Sequence, residues 1–386
     1  MRDAFLLDDD LVFLNHGSYG ACPREVFDIY QHWQRELERN PVEFLGRRSA
    51  ALLAQARDGL AAYLGACGED LVFVPNATTG VNIVARSLPL QPGDEVLGTD
   101  HEYGACEAAW RVACEQRGAH YRPLPIALPY DAERAAQQVL DAITPQTKVL
   151  FLSHITSVTA LVLPVARLCA EARKRGVLTV LDGAHAPGQL RLDLTALAAD
   201  FYTGNCHKWL CAPKGAGFLH VRPEHQAQVE ATVVSWGYVA NLAGHTGFDA
   251  YTGRTPLERK LQWQGTRDIA AYLAVPAAIE FQHRHDWPGW GARCHELACQ
   301  TRRRVLQRNG MAPMSGDDAH AQMVLIPVRC APEDADALRR RLFDAYRIEI
   351  PVTRHGDRVF VRLSVQAYNT PAEMDALVQA LAEIAV

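Results

Sequence analysis

Val177-Leu-Thr-Val-Leu-Asp-Gly-Ala-His185 and Phe201-Tyr-Thr-Gly-Asn-Cys-His-Lys-Trp-Leu210 decide how this sequence folds. In the first stretch a run of mostly apolar residues reads as a buried strand, with Asp182 at its carboxyl end. In the second, a short strand leads into Lys208, set between His207 and Trp209 and ahead of the glycine-rich Pro213-Lys-Gly-Ala-Gly217. Open α/β sheets bind ligands outside the carboxyl ends of their strands. Taken singly, Asp182 reads as a turn or cap aspartate and Lys208 as a solvated surface charge.

The same rhythm extends outward from these two stretches. Helical spacing of apolar residues at 24–39, 47–64, 103–117, 131–143 and 165–175 alternates with short apolar runs at 71–74, 95–98, 149–153, 177–181, 201–203 and 217–221. Buried strands alternating with helices predict a large, mainly parallel sheet covered on both faces. Beyond residue 222 the pattern changes. Residues 235–266 read as a long irregular connection, and the part from 235 to 260, with Trp236, Tyr238, His245 and Arg254, is expected to line or cover a pocket. Helices at 268–286 and 291–309 follow, then a strand (322–328), a helix (332–346), a strand (358–365) and a helix (371–385), which make a smaller α+β unit.

Composition excludes several classes. The chain has 386 residues, 48% of them hydrophobic and 22% charged, with a net charge of −5 and no basic block suited to nucleic acid. Its ten cysteines show no Cys-x-x-Cys or Cys/His spacing, so neither a structural metal nor a disulfide framework is expected, and reduced thiols in the cytoplasm are. No apolar run approaches the ~20 residues of a membrane span. No Gly-x-Gly-x-x-Gly follows the early strands, which argues against a nicotinamide enzyme.

Asp182 and Lys208 become a chemical pair if the ligand is pyridoxal 5′-phosphate. The lysine amine forms the imine, and a carboxylate keeps the pyridine nitrogen protonated so that the ring acts as an electron sink. The phosphate needs a third piece, and Val72-Phe-Val-Pro-Asn-Ala-Thr-Thr-Gly-Val81 offers a strand, a turn and a helix start whose N–H groups suit a dianion. On their own, Thr78 and Thr79 are equally well read as plain capping residues.

Asn15-His-Gly-Ser-Tyr-Gly20, Asp100-His-Glu-Tyr-Gly104, Ser153-His-Ile-Thr-Ser157, Asp182-Gly-Ala-His185, Gly204-Asn-Cys-His-Lys-Trp209 and Gln264-Gly-Thr-Arg-Asp268 occur in order along nearly the whole chain. These motifs resemble the class V aminotransferase family of fold-type I pyridoxal-phosphate enzymes, and within it the isopenicillin N epimerase-like subgroup. The resemblance implies a large cofactor-binding domain over 16–265 and a small C-terminal domain over 266–386, with residues 1–15 packing on the latter. One departure is Val158, where the subgroup usually carries Pro after Ile-Thr-Ser. Another is the absence of cysteine in Tyr346–Thr353, where cysteine desulfurases of the family place their nucleophilic thiol.

The resemblance also implies roles. Lys208 would carry the cofactor and act as acid and base, Asp182 would pair with the ring nitrogen, and His185 would lie near the phenolic oxygen. His101 would stack on the ring, with Tyr103 as its possible substitute. Thr79, the backbone around Thr78, Asn205 and His207 would hold the phosphate. Thr266 would reach the phosphate of a partner subunit, so a homodimer with shared sites is implied. Arg362 would grip the substrate carboxylate, with Asn15, Gly17 and Ser157 nearby. The implied activity is an epimerase-like reaction at the α-carbon of an amino acid, through an external aldimine and a quinonoid, with Tyr19, His16 or a water as second base. A C–S lyase is the second reading and an aminotransferase the third. A catalytically silent protein of the same fold is the non-enzyme alternative.

Overall fold

The first strand, β1 (Val12–Phe13), is a stitch between distant parts of the chain: it pairs in parallel with Ile348–Glu349. The computed structural model describes residues 1–239 and 253–384. The main sheet has seven strands: β2 (Leu71–Val74), β3 (Glu95–Thr99), β4 (His120–Leu124), β5 (Thr147–Ser153), β6 (Leu178–Gly183), β7 (Phe201–Asn205) and β8 (Gly217–Val221). They lie in the order β2-β8-β7-β6-β5-β3-β4. β8 runs antiparallel to both its neighbours, and the other contacts are parallel. Asp182, Asn205 and Ser153 therefore end their strands along one edge.

Side chains alternate across this sheet with the period of two that a strand imposes. Phe151, Val180 and Phe201 face one core layer, which the helices Ala77–Ser87 and Gly104–Glu115 cover. Leu152, Leu181 and Tyr202 face the other, under the helices Ser49–Leu64, Ala132–Ala142 and Val165–Lys174. Each fully buried aliphatic or aromatic side chain of this kind contributes ~1.5–3 kcal/mol. With both faces covered, the strands read as unbroken apolar runs, which is why they stand out in the sequence.

A smaller antiparallel sheet has the order β11-β12-β9, formed by β9 (Met323–Val328), β11 (Val352–His355) and β12 (Arg358–Ser364), while β10 (Ile348–Glu349) is the partner of β1. Val324, Ile326, Val361 and Leu363 share a core with the helices Trp287–Asn309, Ala335–Tyr346 and Pro371–Ile384.

The departures from the sequence reading have local causes. β4 was not expected because His120-Tyr-Arg-Pro-Leu124 is half polar and contains a proline, features that an edge strand tolerates. The expected helix 268–286 is broken into Ala270–Leu273 and Val275–Arg284, since Pro276 lacks the N–H that would continue the first turn. The supposedly irregular stretch 235–266 contains the helix Pro256–Gln262, capped by Thr255, whose side chain accepts the Glu258 N–H. Thr255-Pro-Leu-Glu258 is a capping-box spacing, so the signal was present in the sequence.

That helix is anchored by a buried ion pair. Arg57 Nη2 lies 2.6 Å from Glu258 Oε1, both side chains almost fully shielded, and Arg57 also donates to the Gly68 carbonyl and to Gln262. Glu258→Ala should therefore destabilise the protein by about 3–5 kcal/mol, because it strands a guanidinium in the core. Urea unfolding measures this; a loss below about 1 kcal/mol would show that the pair contributes nothing.

Candidate active site

The carboxyl edge of β5, β6 and β7 opens into a cavity of about 320 Å³. Asp182, His185 and Lys208 line it, as do Thr78, Asn205 and His207 on the side of the helix Ala77–Ser87. Ser157 lies on its wall as well, with Tyr103, Ser18 and Tyr19.

Asp182 is buried at the end of β6, where Oδ1 accepts the Ala184 N–H at 2.9 Å and Oδ2 accepts the Cys106 thiol at 3.4 Å. Burial raises its pKa, so it is an aspartate that gains from a cationic partner. Lys208 Nζ stands 3.2 Å from His185 Nε2. Burial first, then the charge of Arg362, lowers the lysine to about 8, which leaves a sizeable fraction as free amine near neutrality.

The helix Ala77–Ser87 points its N-terminus at the cavity. Asn76 caps it by accepting the Thr79 N–H at 2.9 Å, and the Ala77 N–H goes to Asn205 Oδ1 at 2.8 Å. Thr78 sits at the second helical position, whose amide has no intrahelical acceptor. The helix can lie this close to β7 because Gly80 has no Cβ; one would come within 2.1 Å of Thr203 Oγ1. His207 donates from Nδ1 to the Ala216 carbonyl at 2.9 Å, and burial lowers its pKa to about 4. Its Nε2 is thus a lone-pair acceptor, and it serves an anion only after taking up a proton.

Arg362, on β12, is 4% exposed and has no carboxylate partner among the described residues. It donates from Nη1 to the Ser157 carbonyl and from Nη2 to Ser18 Oγ at 3.0 Å, while its Nε is buried without an acceptor. Burial lowers its pKa to about 10, and it stays a cation at neutral pH.

Other expected residues lie elsewhere. His101 does not line the cavity: Nδ1 is engaged by Thr159 Oγ1 at 2.8 Å, Nε2 by the Ile126 carbonyl at 3.0 Å, and the ring stacks on His355 at 4.0 Å. Tyr103, two residues on, takes the position at the wall. Thr79 spends both its hydroxyl and its amide on Asn76. Asn15 donates to Glu349, and Gly17 packs where a Cβ would meet Met323 at 2.5 Å, so both sit behind the wall. Thr266 is exposed and apart from this cavity. The described parts of 235–260 do not line it either; the helix Pro256–Gln262 covers the sheet instead, and His245 is outside the described residues.

His16 is fully buried, held between the Tyr368 hydroxyl and the Lys208 carbonyl, lowered to about 3 by burial, and it does not line the cavity. Tyr19 lines the cavity and is 73% exposed. Gly20 lets this N-terminal loop lie against the lysine: it has φ +72°, and a Cβ there would come within 2.1 Å of the His207 carbonyl. Sequence reasoning missed Ser18, which lay inside a quoted motif, and Glu102. That buried carboxyl is pushed up to about 7 by burial and holds the cavity residue Ser153 through both its amide and its hydroxyl.

Comparison with known proteins places this geometry. The sequence profile of the family "Aminotransferase class-V" matches residues 13–377. The chain is 39% identical to isopenicillin N epimerase of Streptomyces clavuligerus over 98% of its own length and 96% of that protein's. It is 29% identical to a putative L-cysteine desulfhydrase of Oryza sativa subsp. japonica, over 94% and 81% of the two chains. A solved structure of a C-DES mutant with glycine covalently linked to its PLP cofactor superposes with a TM-score of 0.82 over 97% of both chains at 23% identity, a likeness of fold. With a family profile spanning most of its length and a relative this similar, the chain belongs to the class V aminotransferases.

Proposed function

We propose that the chain is a pyridoxal-phosphate enzyme acting at the α-carbon of an amino acid, most like an isopenicillin N epimerase. Pyridoxal 5′-phosphate is the cofactor of class V aminotransferases, and the cavity residues fit it. Lys208 would hold it through the amine, Asp182 would face its ring nitrogen, and Tyr103 would lie against the ring. Thr78, Asn205 and a protonated His207 would take the phosphate. When bound, the cofactor supplies an electron sink for charge left at the α-carbon. Around it, Lys208 would move a proton on one side, and Tyr19, which also lines the cavity, is the candidate to do so from another.

The observation that carries the reading is Arg362, a buried guanidinium without a counter-ion among the described residues, bonded to Ser18 and Ser157 on the wall of the lysine's cavity. A buried cation of this kind is costly until an anion pairs with it, and a carboxylate matches its fork. All ten cysteines lie among the described residues and none lines the cavity, so a route through a protein thiol has no acceptor. The likeness to a desulfhydrase supports β-elimination from a cysteine-type substrate as the second reading. A homodimer is also proposed, and the exposed Thr266, apart from its own cavity, suits contact with a partner's site. No described helix is long and apolar enough to cross a membrane. Ten free thiols suit a reducing compartment, and a cytoplasmic location is proposed on that ground.

A panel of amino acids in D2O separates the reactions. Loss of the α-proton signal with racemisation supports the epimerase. Pyruvate with ammonia supports the lyase and overturns the first reading. No exchange with any amino acid, from a protein that takes up the cofactor, overturns both.

A further inference from the structure

Two histidines in the cavity are held in opposite tautomers, and a single indole decides one of them. His207 keeps its proton on Nδ1 by donating to a carbonyl. His185 is the reverse case. Its Nδ1 lies 3.3 Å from Nε1 of Trp209, and an indole N–H can only donate. Nδ1 must therefore present its lone pair. Burial, reinforced by Lys208 and Arg362, holds the His185 pKa well below its usual value, so the ring is neutral and its one proton sits on Nε2. That nitrogen is the one 3.2 Å from Lys208 Nζ, which can accept its proton only as the free amine or once the amine is tied up in an imine.

Trp209 cannot easily turn away from this role. Its side chain is fully buried against Ile155, Ala160 and Met323, and the His16 ring packs 4.8 Å from it. Its carbonyl accepts Gln282 Nε2 at 2.9 Å. His185 is held from the other side, where its own carbonyl accepts Gln189 Nε2 at 2.7 Å. Both partners of the 3.3 Å contact are thus fixed by packing and by separate backbone bonds.

We propose that Trp209 is a positioning residue that locks His185 as the Nε2–H tautomer, making the imidazole a permanent hydrogen-bond donor to whatever Lys208 holds. This rests on the pyridoxal-phosphate reading for its ligand. The cofactor's phenolic oxygen is ortho to the carbon that the lysine holds, so it is the acceptor brought against Nε2–H. A donor there favours the oxygen's anionic form and lowers the pH at which the bound cofactor's visible band changes. A phenylalanine at 209 would fill most of the space and offer no N–H.

The test uses protein labelled with ¹⁵N-histidine, free of cofactor, with His185 assigned by its absence in His185→Gln. Long-range ¹H–¹⁵N spectra of the unsubstituted protein at pH 9, above the Lys208 value of about 8 where the lysine is the free amine and can accept, should show Nδ1 unprotonated and Nε2 protonated. In Trp209→Phe both tautomers should appear. With cofactor bound, the pH midpoint of the visible band should move upward in Trp209→Phe. If Trp209→Phe fails to fold, benzothienylalanine at 209 keeps the indole shape without the N–H and should give the same two shifts. A protonated Nδ1 in the unsubstituted protein, or a variant with unchanged tautomer or midpoint, overturns the proposal. Absence of any visible band when cofactor is added to the unsubstituted protein overturns the cofactor reading instead, while the cofactor-free spectra still decide the tautomer.

Discussion

Lys208→Ala should lower turnover by at least ~10²–10⁴-fold, the range that a positioned acid–base group supplies. The protein should still fold. Lys208 makes no ion pair among the described residues, and burial already disfavours its charge, so its loss removes no stabilising pair. The expected signature is an intact thermal transition with little or no product from the best amino acid of the panel. Asp182 and the helix Ala77–Ser87 remain in place, so weak cofactor uptake should persist. Turnover within threefold of the unsubstituted protein would remove Lys208 from the chemistry.

Arg362→Met should separate stability from function. Methionine keeps an unbranched apolar stem in a site 4% exposed but carries no charge to bury. A buried cation with no carboxylate partner among the described residues is costly, so an apolar side chain of similar length should raise stability. Losing the carboxylate's partner should cost about 2–5 kcal/mol of substrate binding, a fall in kcat/KM of roughly 30- to several-thousand-fold. The variant is thus expected to melt higher and work worse, with most of the loss in KM. Parallel measurement of Tm and kcat/KM checks this. A variant that melts lower with its KM unchanged would make Arg362 a structural residue.

The places of Asp182 and Lys208 on the cavity wall were legible because one lies at the end of a strand buried on both faces and the other in the turn just beyond the next such strand, and apolar runs mark both strands. β4, β10 and β11 were not, because edge and two-residue strands carry half-polar sequences and depend on partners far along the chain. His101 and Tyr103 show a finer limit. Both lie in the turn after β3, and nothing in Asp100-His-Glu-Tyr-Gly104 says which ring faces the cavity. That is settled by Thr159 and Ile126, which consume both nitrogens of His101. Ser18 and Trp209 share this limit, since the first meets Arg362 and the second meets His185 only after folding. Thr255–Glu258 was a different kind of miss, a capping signal present in the sequence and passed over.

Arg362 is steered chiefly by two acceptors of unlike origin, the Ser157 carbonyl and the Ser18 hydroxyl at 3.0 Å, with the Ser157 hydroxyl a longer third contact at 3.4 Å. The first belongs to the main chain, which every amino acid carries, and the second to one side chain. As far as Arg362 is concerned, alanine at position 157 would keep the carbonyl that Nη1 meets and give up only the 3.4 Å contact. Position 18 has no such latitude. A survey of residue identities among relatives would rank the two very differently, although both orient the same cation.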